Sequence, residues 1–578
     1  MGCFISESLV TAQRRILAAI WLVVAGLPLG VLALELLRHP AAWRVWTEWH
    51  RVFLLAKNSF LLVFAVCLIG LPLGTAAAFL LYRTDLPGRR LLRRIVILAL
   101  FIPLPVLVSA WQATLGSGGW WTAPGWSTSD PNDPDVAPSG IAWKPWARGM
   151  PAAIWVHLCA SLPWFIWLAG IGLTHVERPL EEDALIHGGL WRAIGSATLP
   201  RAAPALLAAT AWVGLLTVNE ITVTDMMQVP TLAEEVYVQF ARPDPPQPGE
   251  QGRDVLARAL AVAVPPSLLF GVAIAWCWRR WEDRLPPLFV AREEFILVRL
   301  GQWRWLGLAL ILGLLLILVG IPVASLLWRT GHTPSAAEWS AHRSSASLRH
   351  VWNSQSLFVG QSLANAIALG ALVALAVGWA CWLARERRWL RDMLFGTAIL
   401  LVALPGPALG IALKDTIAIL IDAESAVLRS RTGPLFRVLY SGPSLAPVDW
   451  AIGLRLFPCA LALLWPVVRS IPRELFEQAR LDGASPWHEW RLVVWPESAR
   501  VIGLAATAVA ALALGEISAS KLVETPGGQS FAHEVFQQMH YGVDNHLAAM
   551  CLLLLSAVAA LGAAGLMVEY LWRKMRRN

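Results

Sequence analysis

Twelve segments of this chain are each long and apolar enough to cross a bilayer, and this feature constrains the fold most strongly. A helix that spans about 30 Å of hydrocarbon needs roughly 20 mostly apolar residues. Backbone polar groups must pair within such a segment, so we expect helices. The segments are residues 16–37, 59–82, 95–115, 151–174, 202–219, 255–278, 305–328, 357–384, 393–413, 450–470, 499–515 and 547–571.

The composition agrees with this interpretation. Of the 578 residues, 57% are hydrophobic and 15% are charged, whereas soluble proteins carry about 25% charged residues. A soluble enzyme, a disordered scaffold and a secreted disulfide protein are therefore excluded. The seven cysteines show no CxxC pair and no metal-ligand spacing, so we predict no metal site and no redox site. The predicted fold class is an all-α polytopic membrane protein with about 12 transmembrane helices.

The distribution of basic residues predicts the orientation in the membrane. With the N-terminus inside, the inner segments hold 29 Lys and Arg residues and the outer segments hold 16. Basic residues favour cytoplasmic loops. We therefore expect both termini in the cytoplasm, from Cys3 to residue 578, and the turn-rich loops 116–150 and 241–253 outside.

The chain also contains an internal duplication. A shift of 296 residues pairs Trp191 with Trp487, Pro200 with Pro496 and Glu220 with Glu516. A shift of 299 residues pairs 232–237 with 531–536. A shift of 302 pairs the two prolines of the third segment with the two of the ninth, and a shift of 303 pairs 58–59 with 361–362. We predict two homologous six-helix halves, residues 1–278 and 305–578, joined by a cytoplasmic linker at 279–304. Halves with an even number of spans share one orientation and enclose a central path.

Residues 474–497 predict a helix–turn–helix between the tenth and eleventh segments. Gly483 can take the left-handed conformation that ends a helix. Ser485 then caps a second helix and Pro486 fits its first position, where no amide hydrogen is needed. Pro496 ends the element before the next span.

This segment resembles the EAA loop of ATP-binding-cassette importer permeases. The motif begins with Glu477-Gln478-Ala479, and Gly483 follows after three residues. Nine further residues separate Gly483 from Val493, and Trp495-Pro496 end the motif. A degenerate copy at about 181–200 contains Glu182-Asp183-Ala184, Gly188 and Leu199-Pro200. Residues 82–90, 404–413, 515–518 and 525–528 are similar to parts of the two-half permeases of ferric-iron and thiamine importers.

The resemblance implies a membrane-spanning permease subunit that lets a solute such as ferric iron into the cytoplasm by alternating access. It also implies two copies of a cytoplasmic ATP-binding subunit, an extracytoplasmic solute-binding protein and a bacterial inner-membrane location. No phosphate-binding GxxxxGK[ST] loop occurs, so the chain is not expected to be an enzyme or to bind a cofactor; ATP and Mg²⁺ belong to the partner. No nucleic-acid partner is expected.

The same resemblance implies roles for residues in both loops. Glu477 and Glu182 would anchor the ATPase subunit, Gly483 and Gly188 would be hinges, and Trp487 and Trp191 would pack against the partner. The full set of predicted ATPase-coupling residues is Glu477, Ala479, Gly483, Ser485, Pro486, Trp487, Pro496, Glu182, Ala184, Gly188, Trp191 and Pro200.

Residues within or near the spans are candidates for the translocation path. Pro103, Pro105, Pro405 and Pro407 are expected to break the third and ninth spans, and breaks repeated in both halves indicate a pathway or simple packing kinks. Glu220 and Glu516 end the fifth and eleventh spans, where they would form a gate or a docking site for the receptor, or would simply face water. Arg455 is expected to snorkel from the tenth span.

The sequence can also be compared with two other classes of membrane protein. A twelve-span ion-coupled secondary transporter is the alternative, since residues 83–90 (RTDLPGRR) faintly resemble a basic loop of that class. The spans, however, show no obvious relay of buried Asp, Glu and His residues. A membrane enzyme is disfavoured because neither HExxH nor Gly-x-Ser-x-Gly occurs.

Overall fold

The computed structural model describes residues 2–116, 148–241, 252–281, 296–332, 339–428, 440 and 442–575. Most of the predicted loops 116–150 and 241–253, most of the linker 279–304 and residue 578 lie outside this part of the chain. The described residues form helices and short connections, which confirms the all-α polytopic fold class.

Within the described residues, ten helices are long and apolar enough to cross a membrane, and two bent helix pairs bring the total to as many as twelve. They coincide with the twelve predicted segments. In chain order they are α1 Val10–Arg38, α2 Trp49–Arg83, α3 Arg89–Ala99 with Leu104–Leu115, α4 Gly149–Thr174, α5 Arg178–Val218 and α6 Arg253–Trp276. These are followed by α7 Gly301–Thr330, α8 Ala341–Ala384, α9 Arg388–Ala403 with Gly406–Ala426, α10 Ala446–Ser470, α11 Pro486–Ala513 and α12 Asn545–Tyr570.

Several local features occur once in α1–α6 and once in α7–α12. Ser59 Oγ of α2 accepts the backbone N–H of Leu232 at 3.0 Å, and Ser362 Oγ of α8 accepts that of Phe531 at 3.1 Å. We call α1–α6 the first group and α7–α12 the second group. Each serine lies on the second helix of its group, and each N–H donor is the first residue of a short helix, Leu232–Ala241 or Phe531–Met539.

Widened π-helical turns are repeated in the same way. One occupies Leu22–Gly26 of α1 and another Leu316–Gly320 of α7, each two residues before a proline. A proline cannot bond the carbonyl four residues before it, and a widened turn relieves the clash. In α1 the freed carbonyl of Val24 accepts the indole N–H of Trp450 at 2.9 Å.

The first helix of each group packs on the other group. In α1, the indole of Trp21 donates to Thr397 Oγ1 of α9 at 3.2 Å. In α7, Ser325 Oγ lies 2.6 Å from Thr114 Oγ1 of α3. These contacts join the two groups through one half-buried and one buried pair of side chains.

Candidate coupling surface and path

The second helix–turn–helix segment, residues 473–496, folds locally as the sequence predicts. Its first helix is Arg473–Leu481, and Gly483 in the turn has a φ of 79°. Ser485 Oγ accepts the backbone N–H of His488 at 3.4 Å, and Pro486 occupies the first position of the next helix. A π-helical turn at Trp490–Val494 then leads into the membrane-spanning part of α11, where Pro496 is exposed.

The first helix–turn–helix segment, residues 178–200, differs from the prediction at its hinge. The left-handed residue is Gly189, with a φ of 72°, so the assignment of the hinge to Gly188 is wrong. Gly188 still belongs to the helix, where a Cβ atom would lie 2.0 Å from Cδ of Arg192. The Gly-Gly pair offered two positions for the turn, and the chain uses the second. A π-helical turn at Ile194–Thr198 follows, and Pro200 is exposed.

Both segments expose acidic and aromatic side chains. Glu477 and Glu182 are exposed, and Glu182 accepts a 2.7 Å hydrogen bond from Arg178. Trp487 is 57% exposed and Trp191 is 84% exposed. The residues predicted to contact a partner are therefore accessible, whereas Ala479 and Ala184 are partly covered.

Two exposed aliphatic residues escaped the sequence analysis. Leu481 is 88% exposed and Ile186 is 82% exposed. They lie 295 residues apart, the same spacing as Glu182 and Glu477, and each precedes the tryptophan of its segment by five or six residues. That repeated apolar residue on a polar helix was the signal that could have revealed them. Each segment thus presents a highly exposed aliphatic side chain and an exposed indole, beside other partly exposed apolar residues.

Corresponding arginines hold the two segments to the membrane helices. Arg83, at the end of α2, donates to the carbonyl of Leu173 at 3.1 Å and forms a buried ion pair with Glu181. Thr198 Oγ1 also donates to Glu181, at 2.7 Å. Arg385, after the end of α8, donates to the carbonyl of Ile471 at 2.5 Å, and its guanidinium lies 4.2 Å above the ring of Phe476.

A chain of charges joins α1 to the second segment. Glu386 accepts hydrogen bonds from Arg14 at 3.2 Å and from Arg480 at 3.0 Å. Arg480 also donates to the buried Glu489 at 2.8 Å. Burial opposes ionisation of Glu386, but Arg480 and Arg14 outweigh it and lower the pKa of this carboxyl. The first helix of one group is thereby linked to the turn region of the other.

The predicted breaks in the third and ninth spans are present. The two parts of α3 meet at 99° just before Pro103, and the two parts of α9 meet at 113° at Leu404-Pro405. Pro105 and Pro407 lie in the first turn of the helices that follow. Broken helices expose backbone carbonyls, which require other donors.

Arg455 and Asn219 supply those donors at the break in α9. Arg455 Nη1 donates to the carbonyls of Leu401 at 3.1 Å and Leu404 at 3.0 Å. Asn219 Nδ2, from the other group, donates to the carbonyl of Val402 at 2.7 Å. The expectation that Arg455 snorkels is therefore wrong, because unpaired carbonyls within reach hold the guanidinium inside the bundle.

Glu220 and Glu516 cap short turns at equivalent places. Glu220 accepts the N–H groups of Thr222 at 2.5 Å and Val223 at 2.8 Å, and Glu516 accepts that of Ala519 at 2.9 Å. Glu220 is buried and its Oε2 lies 3.8 Å from Nε2 of His157, so it does not face water. The sequence analysis missed His157, since a single histidine in an apolar helix gives no spacing signal.

The two groups also meet near the short helices Leu232–Ala241 and Phe531–Met539. The rings of Tyr237 and Phe536, which lie 299 residues apart, approach edge to face with centroids 6.2 Å apart. Nearby, His540 Nε2 lies 3.0 Å from Oδ2 of Asp225. These contacts close the space between the groups at the end opposite to the helix–turn–helix segments.

Within the described ranges, no group of three or more His, Cys, Asp and Glu side chains could hold a metal ion. The buried ionisable residues instead pair with backbone groups or with one another.

One comparison with known proteins gives a match. Residues 366–577 match the family model of the binding-protein-dependent transport system inner membrane component. The match covers a little over a third of the chain and includes the second helix–turn–helix segment. None of the curated proteins matches the chain. Residues 366–577 are therefore similar to the inner-membrane components of binding-protein-dependent transport systems.

Proposed function

We propose that this chain is a membrane-spanning permease subunit of an ATP-binding-cassette importer, with two homologous halves and one coupling surface on each. The observation that carries the proposal is the pair of exposed helix–turn–helix segments. The first helix of each segment ends in a left-handed glycine turn, and each segment presents an aliphatic residue and a tryptophan outward. A short amphipathic helix with such anchors suits docking into a groove of another protein.

The repeated contacts support two halves. Within the described residues, the serine–backbone bond and the glutamate cap each occur once in either group of six helices, and the π-helical turn occurs twice in either group. Two equivalent segments would dock two copies of a cytoplasmic ATPase subunit. The termini and the helix–turn–helix segments would then lie in the cytoplasm, as the basic residues predict.

The broken helices α3 and α9 and the Tyr237–Phe536 contact support a path between the halves that is closed at the far end. A solute-binding protein would deliver its solute there, and alternating access would follow ATP turnover. Ferric iron or a similarly small solute fits the resemblance in the sequence. Recognition would reside on the binding protein, since the described residues lack a metal-ligand cluster.

Co-purification with candidate ATP-binding subunits that are co-expressed with this chain tests the proposal. The wild-type chain is expected to retain the ATPase through affinity purification, and the double variant Leu481→Ser and Trp487→Ser is expected to lose most of it. The matched control is Leu357→Ser, a residue 83% exposed on α8 and outside both segments. Equal retention by all three proteins would contradict the proposal.

One observation favours the alternative of an ion-coupled transporter. The buried His157–Glu220 pair is the kind of titratable pair that proton-coupled transporters use. Uptake into vesicles by the chain alone, driven by a pH gradient and abolished by His157→Gln, would establish that alternative. The importer proposal instead expects no uptake without the ATPase subunit and ATP.

A further inference from the structure

An ion pair joins the two groups of helices at the end opposite to the helix–turn–helix segments, which is the outer end in the proposed orientation. His540 follows the short helix Phe531–Met539 of the second group, and Asp225 lies in the short helix Thr222–Met226 of the first group. His540 Nε2 lies 3.0 Å from Oδ2 of Asp225. The side chain of His540 is 42% exposed and that of Asp225 is 18% exposed, so protons from solvent reach the pair.

Both ring nitrogens of His540 face hydrogen-bond acceptors. Nδ1 lies 2.9 Å from the backbone carbonyl oxygen of Phe536, and Nε2 faces the carboxylate of Asp225. A neutral imidazole carries one N–H group, so it can donate to only one of these two oxygens, whereas an imidazolium donates to both. The contact between the groups is therefore complete only when His540 is protonated.

The charges around the pair favour the same protonated form. In the described part of the chain, Asp225 is the charged side chain that acts on His540, and its hydrogen bond raises the pKa of the imidazole. Glu234 of the first group is close enough to Asp225 for their charges to repel. Burial, together with the charges of Asp225 and Glu235, raises the pKa of Glu234 to about 7. Two groups at this end therefore titrate near neutrality, and they must be distinguished by experiment.

The ion pair lies beside the aromatic contact that closes the space between the groups. The ring of His540 packs edge to face against that of Phe536, with centroids 4.9 Å apart. Phe536 in turn meets Tyr237 of the first group, with centroids 6.2 Å apart. Separation of the groups at this end would break the Asp225–His540 pair together with the Tyr237–Phe536 contact.

The internal repeat does not reproduce this ion pair. Lys521 stands 296 residues after Asp225, and Ala241 stands 299 residues before His540. Alanine cannot form an ion pair, and Lys521 donates instead to Glu524 of its own group at 2.6 Å. The Asp225–His540 pair is therefore not part of the scaffold that the two groups share.

We propose that His540 and Asp225 form a latch at the outer end of the path, and that protonation of His540 controls it. With His540 protonated, the latch holds the two groups together. When the proton is lost as the pH rises, the contact weakens and the outer end opens more readily. This role rests on the proposed function, since an importer must open its outer end to receive a solute. A partly exposed ion pair changes an equilibrium constant by about fivefold at most, so the latch biases opening and does not prevent it.

Distances between two spin labels on the full-length chain in nanodiscs test the latch. The labels are attached through a ketone-bearing amino acid at Ala241 and at Gln537, exposed residues on or at the end of the two short helices, so the seven native cysteines stay unlabelled. The ratio of long to short distances is expected to rise about threefold to fivefold from pH 5.5 to pH 8.5. His540→Gln and Asp225→Asn, made separately in the labelled chain, should each give the high-pH ratio at every pH.

Two further variants serve as controls. His332 also contacts a carbonyl of its own helix, that of Trp328 at 3.1 Å, but its ring packs against the Trp328 indole and not against a carboxylate. Glu234→Gln removes the other group that titrates near neutrality. His332→Gln and Glu234→Gln should both keep the rise with pH, because the His540–Asp225 pair is intact in both.

Three results would overturn the proposal. They are a ratio that does not change with pH in the otherwise unaltered chain, a rise that persists in His540→Gln, and a rise that is lost in Glu234→Gln but kept in His540→Gln. The last result would assign the titration to Glu234. The measurement needs neither solute nor an ATPase subunit, whereas the co-purification described above reports on the opposite end of the molecule. Failure of the latch and failure of the importer proposal are therefore distinguishable.

Discussion

Glu181 carries most of the electrostatic stabilisation of the first helix–turn–helix segment. Its carboxylate is buried, and it meets both Arg83 and Thr198. Removing one partner of a buried pair leaves an uncompensated charge, which typically costs about 3–5 kcal/mol. We expect Glu181→Ala to lower the free energy of unfolding by about that amount, measured by denaturation of the purified protein.

Glu182 provides the matched control for this prediction. It is the next residue, and its pair with Arg178 is half exposed on both sides. Exposed pairs contribute about 0–1 kcal/mol, so Glu182→Ala should change the unfolding free energy little. Similar losses in the two variants would show that Glu181 is not held as the structure indicates.

The contact between the groups at Asp225 and His540 is expected to depend on pH. The hydrogen bond to Asp225 raises the pKa of His540, and burial together with the charges of Asp225 and Glu235 raises the pKa of Glu234 to about 7. When the pKa of a group is higher in the folded protein than in the unfolded chain, the free energy of unfolding is highest below the unfolded pKa. It falls as the pH rises through the folded pKa. For Glu234 the loss runs from about pH 4.5 to above 7, and for His540 it begins near pH 6.5.

Thermal unfolding at pH 5, 6.5 and 8 measures this dependence. The Tm of the wild type should fall as pH rises, and Glu234→Gln or His540→Gln should each flatten the profile. Glu477→Gln, at the other end of the molecule, serves as the control. A wild-type profile that rises with pH, or variants that follow the wild type, would contradict the assignment.

The sequence predicted individual residues only where a local rule applies. Gly483, Ser485 and Pro486 follow from the chemistry of helix ends, and the structure shows each in its expected conformation. Arg455 could not be placed, because its partners are backbone carbonyls of another helix that come close only after folding. The choice of Gly189 over Gly188 depends on where the helix stops, which two adjacent glycines leave undetermined.

At the scale of elements, the two glycine turns are expected to be equally sensitive. Gly483 and Gly189 have φ values of 79° and 72° with open space around them, so only backbone strain opposes a side chain. Strain at such a position typically costs about 1–3 kcal/mol. We expect Gly483→Val and Gly189→Val each to reduce solute-stimulated ATP turnover by tenfold or more in vesicles that contain the partner subunits.

Gly195 is the matched control for the turns. It also has open space around a Cβ atom, but its φ lies in the ordinary range. Gly195→Val should therefore keep most of the turnover. The hinge assignment would be wrong if Gly189→Val were as active as Gly195→Val.

The positions of the breaks in α3 and α9 could be predicted from the sequence, but the angles between the helix parts could not. The prolines placed the breaks in α3 and α9 correctly, since a proline cannot continue the hydrogen-bond ladder. The angles of 99° and 113° were not predictable, because they depend on which donors the rest of the fold brings to the freed carbonyls. At α9 those donors are Arg455 and Asn219, from two different helices.

At the scale of the whole molecule, the exchange of α1 and α7 should hold the two groups together without the linker. Contacts cross between the groups at Trp21–Thr397 and Trp450–Val24, which are half-buried, and at Thr114–Ser325, which is buried. We expect residues 1–288 and 289–578, expressed together as two polypeptides, to co-purify in equal amounts through a tag on the first. Their joint complex should elute as one species in size-exclusion chromatography.

The double variant Trp21→Ala and Trp450→Ala removes two of these contacts and leaves cavities in their place, so its yield of complex should fall severalfold. The matched control is Trp352→Ala, a residue 60% exposed on α8. Recovery of the tagged first polypeptide alone, folded and monodisperse, would show that the halves are held together by the linker and not by the exchanged helices.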